Sequence, residues 1–387
     1  MPKAELAFSP VDNELPLRWM RRLRLAPANG LGTNRRALFF VALTWLPIVV
    51  WALVEGRALD LSDHESLMRH YGINVRCLIA IPLFIIGERA LHDTVVRIAS
   101  QFVSSGIVSP AVQPAFEATL RNVRRMRDSS LPWILVFGLT LTWLMVDHPD
   151  AHEDALAWAQ SADGKLGFGG WWFSYVARPV FVALLAGWIW RILLIAYWLW
   201  RVGRLDLSLV PTHPDRAGGL GFVERLPNAF ELVSLAVSAA VASRWAHEIT
   251  VHGTTLESYK LVATALVIVW TLLALLPLLA LAPALHAARA RAMAAYSTLV
   301  GEQGRLVHRR WILREPVDNA PILDAPEIGP VADASTLFDS VKRMRIVPIG
   351  KTAIAKILIP LAIPMAVVAA LQVPVGELLM KVVKAVL

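Results

Sequence analysis

The stretch Trp171–Val202, WWFSYVARPVFVALLAGWIWRILLIAYWLWRV, decides the class of this chain. Its 32 residues would run about 48 Å as one α-helix and overshoot a hydrocarbon layer of roughly 30 Å, so the helix must tilt or project beyond the bilayer. Trp171 and Trp172 open it and Trp198 and Trp200 close it, the pattern of indoles placed at two headgroup layers. Arg178 lies one turn inside the outer edge and Arg191 well inside. An arginine at bilayer depth costs a few kcal/mol and needs protein or water beside it. Glu231, early in the next apolar segment, is the expected partner of Arg191, although the helical rise sets it about 10 Å nearer the cytosol.

The connection between these two segments holds Leu209-Val-Pro-Thr-His213-Pro-Asp215-Arg216-Ala-Gly218-Gly219-Leu-Gly221-Phe222. Pro214 restricts His213 to extended geometry, and the glycines permit positive φ and close backbone approach before a helix begins. Two readings stay open. Asp215 caps a turn and the glycines tuck the loop under the bundle. Alternatively, the loop closes a cavity between the flanking spans, with Asp215 or Arg216 facing an ion or anionic headgroup and Gly218 and Gly219 exposing N–H groups. About 23 residues join the two spans where roughly 2 to 8 suffice, which favours a task for the extra length.

That loop string, the Trp- and Arg-rich span before it and Val341-Lys-Arg-Met-Arg-Ile-Val-Pro-Ile349 after it resemble a family of bacterial polytopic inner-membrane proteins of uncharacterised activity. The likeness covers most of the chain. It implies a bacterial inner-membrane setting and supplies no catalytic residues.

Bulk composition agrees. With 387 residues, 56% hydrophobic and only 18% charged, the chain is too apolar for a soluble fold and fits an all-α polytopic bundle. The net charge of +8 sits at the ends of apolar segments, which argues for anionic headgroups and membrane lipids as partners and against nucleic acid. A homo-oligomer is compatible with this composition. The single cysteine, Cys77, excludes a disulfide framework or a cysteine-built metal site. None of the ten histidines falls mid-span, which argues against an intramembrane bis-histidyl haem, and no cofactor is implied.

Residues 1–36 carry seven Lys or Arg against three acids, which places the N-terminus in the cytoplasm. Leu15–Leu25 alternates apolar and basic residues and reads either as an interfacial helix or as a free basic arm. The transmembrane bundle occupies 37–283, with spans near 37–54, 71–87, 131–146, 171–202, 228–246 and 261–282. Arg76 and Glu88 bracket the second span so closely that one must snorkel, pair or line a cavity. Beyond Glu88, Leu91, Val95, Ile98, Ala99 and Phe102 recur at helical spacing, so the helix continues with an amphipathic face, and a basic amphipathic piece follows at 116–127. These cytoplasmic helices, 88–130, either pack under the bundle or form a basic vestibule for anions.

His148 and His152, four apart in an acidic outward loop, are spaced to share a helix face as weak metal ligands, but Pro149 spoils that geometry. Residues 284–350 read as a cytoplasmic helix and Pro-rich linker, with a short helix over 336–345. Residues 351–387 read as an apolar seventh segment, crossing or re-entrant, and an amphipathic tail. No nucleotide-binding loop, dinucleotide fingerprint, nucleophile elbow or zinc-protease motif occurs, which removes the common enzyme readings. A channel or secondary transporter for a small ion or solute fits the intramembrane Arg178, Arg191 and Glu231 best. A membrane enzyme using His213 and Asp215 on a lipid or polyprenyl-linked substrate, and a scaffold or signalling subunit, are the alternatives.

The topology is testable. In a Cys77→Ser background, single cysteines at positions 3, 125, 216 and 318 should resist an impermeant reagent applied outside, and labelling at 216 would overturn the arrangement.

Overall fold

The computed structural model describes residues 8–58, 66–146, 159, 166–317 and 329–372. Among them the regular structure is helical throughout, with no strand, as the apolar composition requires. Six helices are long and apolar enough to cross a membrane. In chain order the elements are α1 (Leu15–Arg22), α2 (Thr33–Val54), α3 (Tyr71–Ser104), α4 (Gln113–Asp128), α5 (Leu131–Val146) and α6 (Phe168–Gly203). There follow α7 (Leu220–Val251), α8 (Leu256–Leu279), α9 (Ala282–Val307), α10 (Gly329–Lys342) and α11 (Lys351–Gln372).

α11, whose crossing the sequence leaves open, is one of the six. It packs along α7, and Ser238 donates to the Leu361 carbonyl where Pro360 and Pro364 loosen the ladder of α11. α5, by contrast, is 16 residues as described, about 24 Å of helix. The 147–154 loop with His148 and His152, most of the linker and the 376–387 tail lie outside the described residues. α10 already begins at Gly329, so the Pro-rich linker ends earlier than its prolines suggest.

α3 runs unbroken past Glu88, and Leu91, Val95, Ile98, Ala99 and Phe102 are all buried, as their spacing predicts. α4 turns Phe116, Leu120 and Val123 into the same core. The indoles of α6 divide differently from expectation. Trp171 is half exposed, whereas Trp198 is wholly buried against Phe8 and Phe102 and belongs to the core rather than a headgroup belt. A repeat of aromatics on a long helix does not say which of them meets lipid and which meets protein. Trp188 wedges between α6 and α3, where it donates to the Phe84 carbonyl at 3.0 Å. Gly87 makes room for it, since a Cβ there would stand 3.0 Å from the indole.

The N-terminal segment is neither a free arm nor a helix lying flat on lipid. Phe8, Val11 and Leu17 are essentially inaccessible, and Arg127 of α4 donates to the Ser9 carbonyl at 2.6 Å while Arg18 donates to the Asp128 carbonyl at 3.0 Å. The Ser9 hydroxyl meets His92 of α3 at 2.7 Å. These contacts insert residues 8–22 into the end of the bundle and set Glu14 just before the first turn of α1.

Candidate functional site

Four buried charges from four parts of the chain converge there. Arg191 of α6 forks onto Glu14, with Nη2 at 2.7 Å from Oε2 and Nε at 3.1 Å. The same Nη2 stands 2.9 Å from Glu88 Oε1 of α3, while Glu88 Oε2 accepts from Arg36 of α2 at 2.6 Å. All four side chains are between 0 and 4% exposed. Trp188 stacks its ring 5.6 Å from the Arg191 guanidinium, and Arg36 also donates to the Leu31 carbonyl. Two cations and two anions alternate, so the cluster is neutral as drawn and each charge touches an opposite one.

Glu14 lies outside the spans, and its carboxyl is pushed up to about 7. Burial is the largest cause; the Arg191 guanidinium opposes it and the Glu88 charge reinforces it. A carboxyl with its proton balanced near neutrality therefore sits against a fixed arginine.

The quartet forms the polar wall of a cavity of about 210 Å³. The other walls are apolar, from Leu17 and Met20 of α1, Phe40 of α2, Trp133 and Phe137 of α5 and Leu184 of α6. Arg191 Nη1 and Glu88 Oε1 are buried and make no hydrogen bond to a described protein group. Glu88 Oε1 nevertheless lies 2.9 Å from Arg191 Nη2, an ion contact without hydrogen-bond alignment. The wall thus holds a buried Arg191 N–H, at Nη1, with no acceptor among the described residues.

The expected partnership of Arg191 with Glu231 is not what forms. Glu231 meets Lys356 of α11 at 2.9 Å, and Arg191 takes Glu14 and Glu88 instead. The helical offset already weighed against Glu231, and α11, packed along α7, supplies the cation that pairs with it. Arg76 does not meet Glu88 either: its guanidinium stands over the Phe181 and Phe173 rings near the far end of α3. Arg178 opens the regular part of α6 beside it. Glu14 and Arg36 escape sequence reasoning because both read as parts of a basic cytoplasmic arm. The available signal is Glu14 standing directly before Leu15-Pro16-Leu17, a carboxylate at a helix start followed by apolar residues.

In the connecting loop the Asp215 carboxylate turns onto its own backbone. It accepts from the N–H groups of Ala217 at 2.8 Å, Gly219 at 3.2 Å and Gly221 at 2.7 Å, and His213 Nδ1 lies 2.9 Å away. Partial burial opposes ionisation, but the N–H donors outweigh it and hold the carboxyl below its ordinary range. Gly218 and Gly219 take φ of +65° and +94°, and a Cβ on Gly221 would stand 2.9 Å from the Asp215 side chain. Arg216 is exposed, and its carbonyl accepts from the Arg345 backbone N–H at 2.7 Å while the Arg345 side chain donates to the Asp215 carbonyl. The loop is knitted to the strap after α10, and the geometry fits the turn-capping reading.

Among the described residues no three His, Cys, Asp or Glu side chains cluster to hold a metal ion. The chain matches no protein family, no curated protein and no solved structure.

Two outcomes follow from this geometry. Arg191→Leu strands the buried Glu14 carboxylate and leaves Glu88 to Arg36 alone, and should destabilise the protein by about 3–5 kcal/mol, with Arg201→Leu, at the helix end, costing under about 1 kcal/mol in chemical denaturation. Asp215→Ala should loosen the loop by about 1–3 kcal/mol because three N–H groups lose their acceptor. Since the Asp215 carboxyl titrates low, its contribution is present above the ordinary carboxylate range and is lost as pH falls below it; the protection factors of the Ala217, Gly219 and Gly221 amides, taken against their intrinsic exchange rates, should therefore fall only in acid.

Proposed function

We propose that this protein is a multi-pass bacterial inner-membrane secondary transporter that moves a small amphiphilic solute through the chamber bounded by Glu14, Glu88, Arg36 and Arg191. The observation that carries this reading is the chamber itself, apolar on most sides, with a neutral network of four buried charges along one wall. Such a network is costly to assemble within a membrane protein, and buried ionisable groups there mark substrate or proton pathways. Glu14, Arg36, Glu88 and Arg191 all line the chamber and give its wall the charge that would orient a polar group on the solute. Proton coupling is assigned to Glu14. Its raised carboxyl titrates near neutrality, and the group belongs to α1, the element that closes the chamber from the side of the N-terminus.

The sign of that coupling is fixed by linkage. A folded pKa raised to about 7 means the contribution of protonated Glu14 to stability is complete below the ordinary carboxylate range and is lost as pH rises through 7. Alkaline conditions therefore favour release of α1 and opening of the chamber, and acid favours closure. The lipid-enzyme reading is weaker because the Asp215 carboxylate, its presumed base, is engaged by three N–H groups.

In infrared difference spectra a protonated carboxyl band should disappear with a midpoint near pH 7, and Glu14→Gln should remove it. In proteoliposomes loaded with a pH dye, a panel of small organic acids and amines should include a solute whose flux moves protons in wild type and not in Glu14→Gln. Absence of solute-dependent flux across the panel, with the infrared band present, would overturn the transport reading while leaving the titration standing.

A further inference from the structure

At the end of the bundle away from the quartet, α3 and α6 each widen into one π-helical turn, Arg76–Ala80 and Phe173–Ala177. A π turn inserts one extra residue and re-aims the side chains around it, and such turns concentrate at functional sites. Here they aim Arg76 between the rings of Phe181 and Phe173, with its carbon centre 5.3 and 5.8 Å from the ring centroids. The Arg76 Nε is sealed from solvent and makes no hydrogen bond, and no ion pair of Arg76 occurs among the described residues. The arginines whose charge acts on it are Arg178 and Arg244. An arginine is not left in such surroundings without an anion at small cost.

A recess of about 490 Å³ opens beside it, lined by Arg76 and Arg244, by Glu248 one turn along from Arg244, and by the pair Trp245 and Tyr259. Glu248 is the one carboxylate among these lining residues, so two guanidinium groups face a single carboxylate. The Trp245 and Tyr259 rings stack at 5.3 Å, a pairing of amphipathic aromatics suited to headgroup depth. Val237, Val241 and Val262 continue the wall as a purely apolar surface. The combination is a guanidinium pair beside a strip of branched aliphatic side chains.

We infer that this recess binds a phosphate-type anion between Arg76 and Arg244, with a phospholipid headgroup as its carrier and the acyl chain laid along Val237, Val241 and Val262. The guanidinium fork matches phosphate oxygens, which stay ionised at every physiological pH. The site is separate from the transport chamber and does not depend on what passes through it.

The test uses full-length protein stripped of lipid in a neutral maltoside detergent, then given phosphatidylglycerol, phosphatidylcholine or inorganic phosphate, with thermal unfolding and native mass spectrometry as readouts. Phosphatidylglycerol should raise the Tm and persist as a bound adduct. Arg244→Gln, on an exposed side chain, should weaken that response about tenfold. Arg76→Gln should abolish it and, by removing one of the two guanidinium charges, raise the Tm of the lipid-free protein. A response to lipid but not to inorganic phosphate assigns the anion to a phospholipid; an equal response to inorganic phosphate keeps the site and assigns it to a free anion. Wild-type responses from both variants, or a lipid-free Tm lowered by Arg76→Gln, would overturn the inference.

Discussion

Two guanidinium groups and two carboxylates share one buried pocket, and the low dielectric around them makes any unmatched member expensive. Arg191 could not sit where α6 places it without an acid, and Glu88 could not sit on the buried face of α3 without a cation. Satisfying both pulls in Arg36 from the start of α2 and Glu14 from the N-terminal segment. Four elements far apart in sequence are thereby held at one point, and the apolar contacts of Phe8, Leu17, Phe102 and Trp198 close around it. Hydrophobic burial is non-directional and would tolerate many arrangements of these helices. The charge alternation tolerates very few.

Hydropathy made the bundle legible, because a run such as Trp171–Val202 has nowhere to go but a membrane, and the helical recurrence from Leu91 to Phe102 showed that α3 continues past Glu88 with one face buried. The need of Arg191 for an acid was equally legible. Its partner was not, since ion pairs between segments leave no trace in local spacing, and Glu14 stands 177 residues away. Glu231 looked right by proximity in sequence and lost to geometry. Trp198 was misread for a related reason: the same amphipathic ring serves a headgroup layer or a core, and only the arrival of Phe8 decides between them.

The connecting loop shows how a chemically rich string resolves into architecture. His, Asp, Arg and three glycines at close spacing invite a catalytic or anion-binding reading. Once Asp215 takes three N–H groups and the strap residue Arg345 takes the Asp215 and Arg216 carbonyls, the string is accounted for by its own hydrogen bonds. The glycines serve the same end, since two of them hold positive φ and the third makes room for the carboxylate. Polarity at bilayer depth, rather than motif density in a loop, was the better guide to the chamber.

The separation of Glu14 from Arg191 also orders the birth of the molecule. During synthesis Arg36 and Glu88 leave the ribosome early and can neutralise each other as soon as α2 and α3 lie side by side. Arg191 emerges 177 residues after Glu14, roughly ten to thirty seconds later at ordinary elongation rates. Throughout that interval Glu14 has no arginine from α6 to meet, while Ser9 and Arg18 already have their partners in α3 and α4, so the Glu14–Arg191 pair is the last of these contacts able to form. Closure of the chamber is thus a late event of biogenesis, completed only when α6 supplies Arg191.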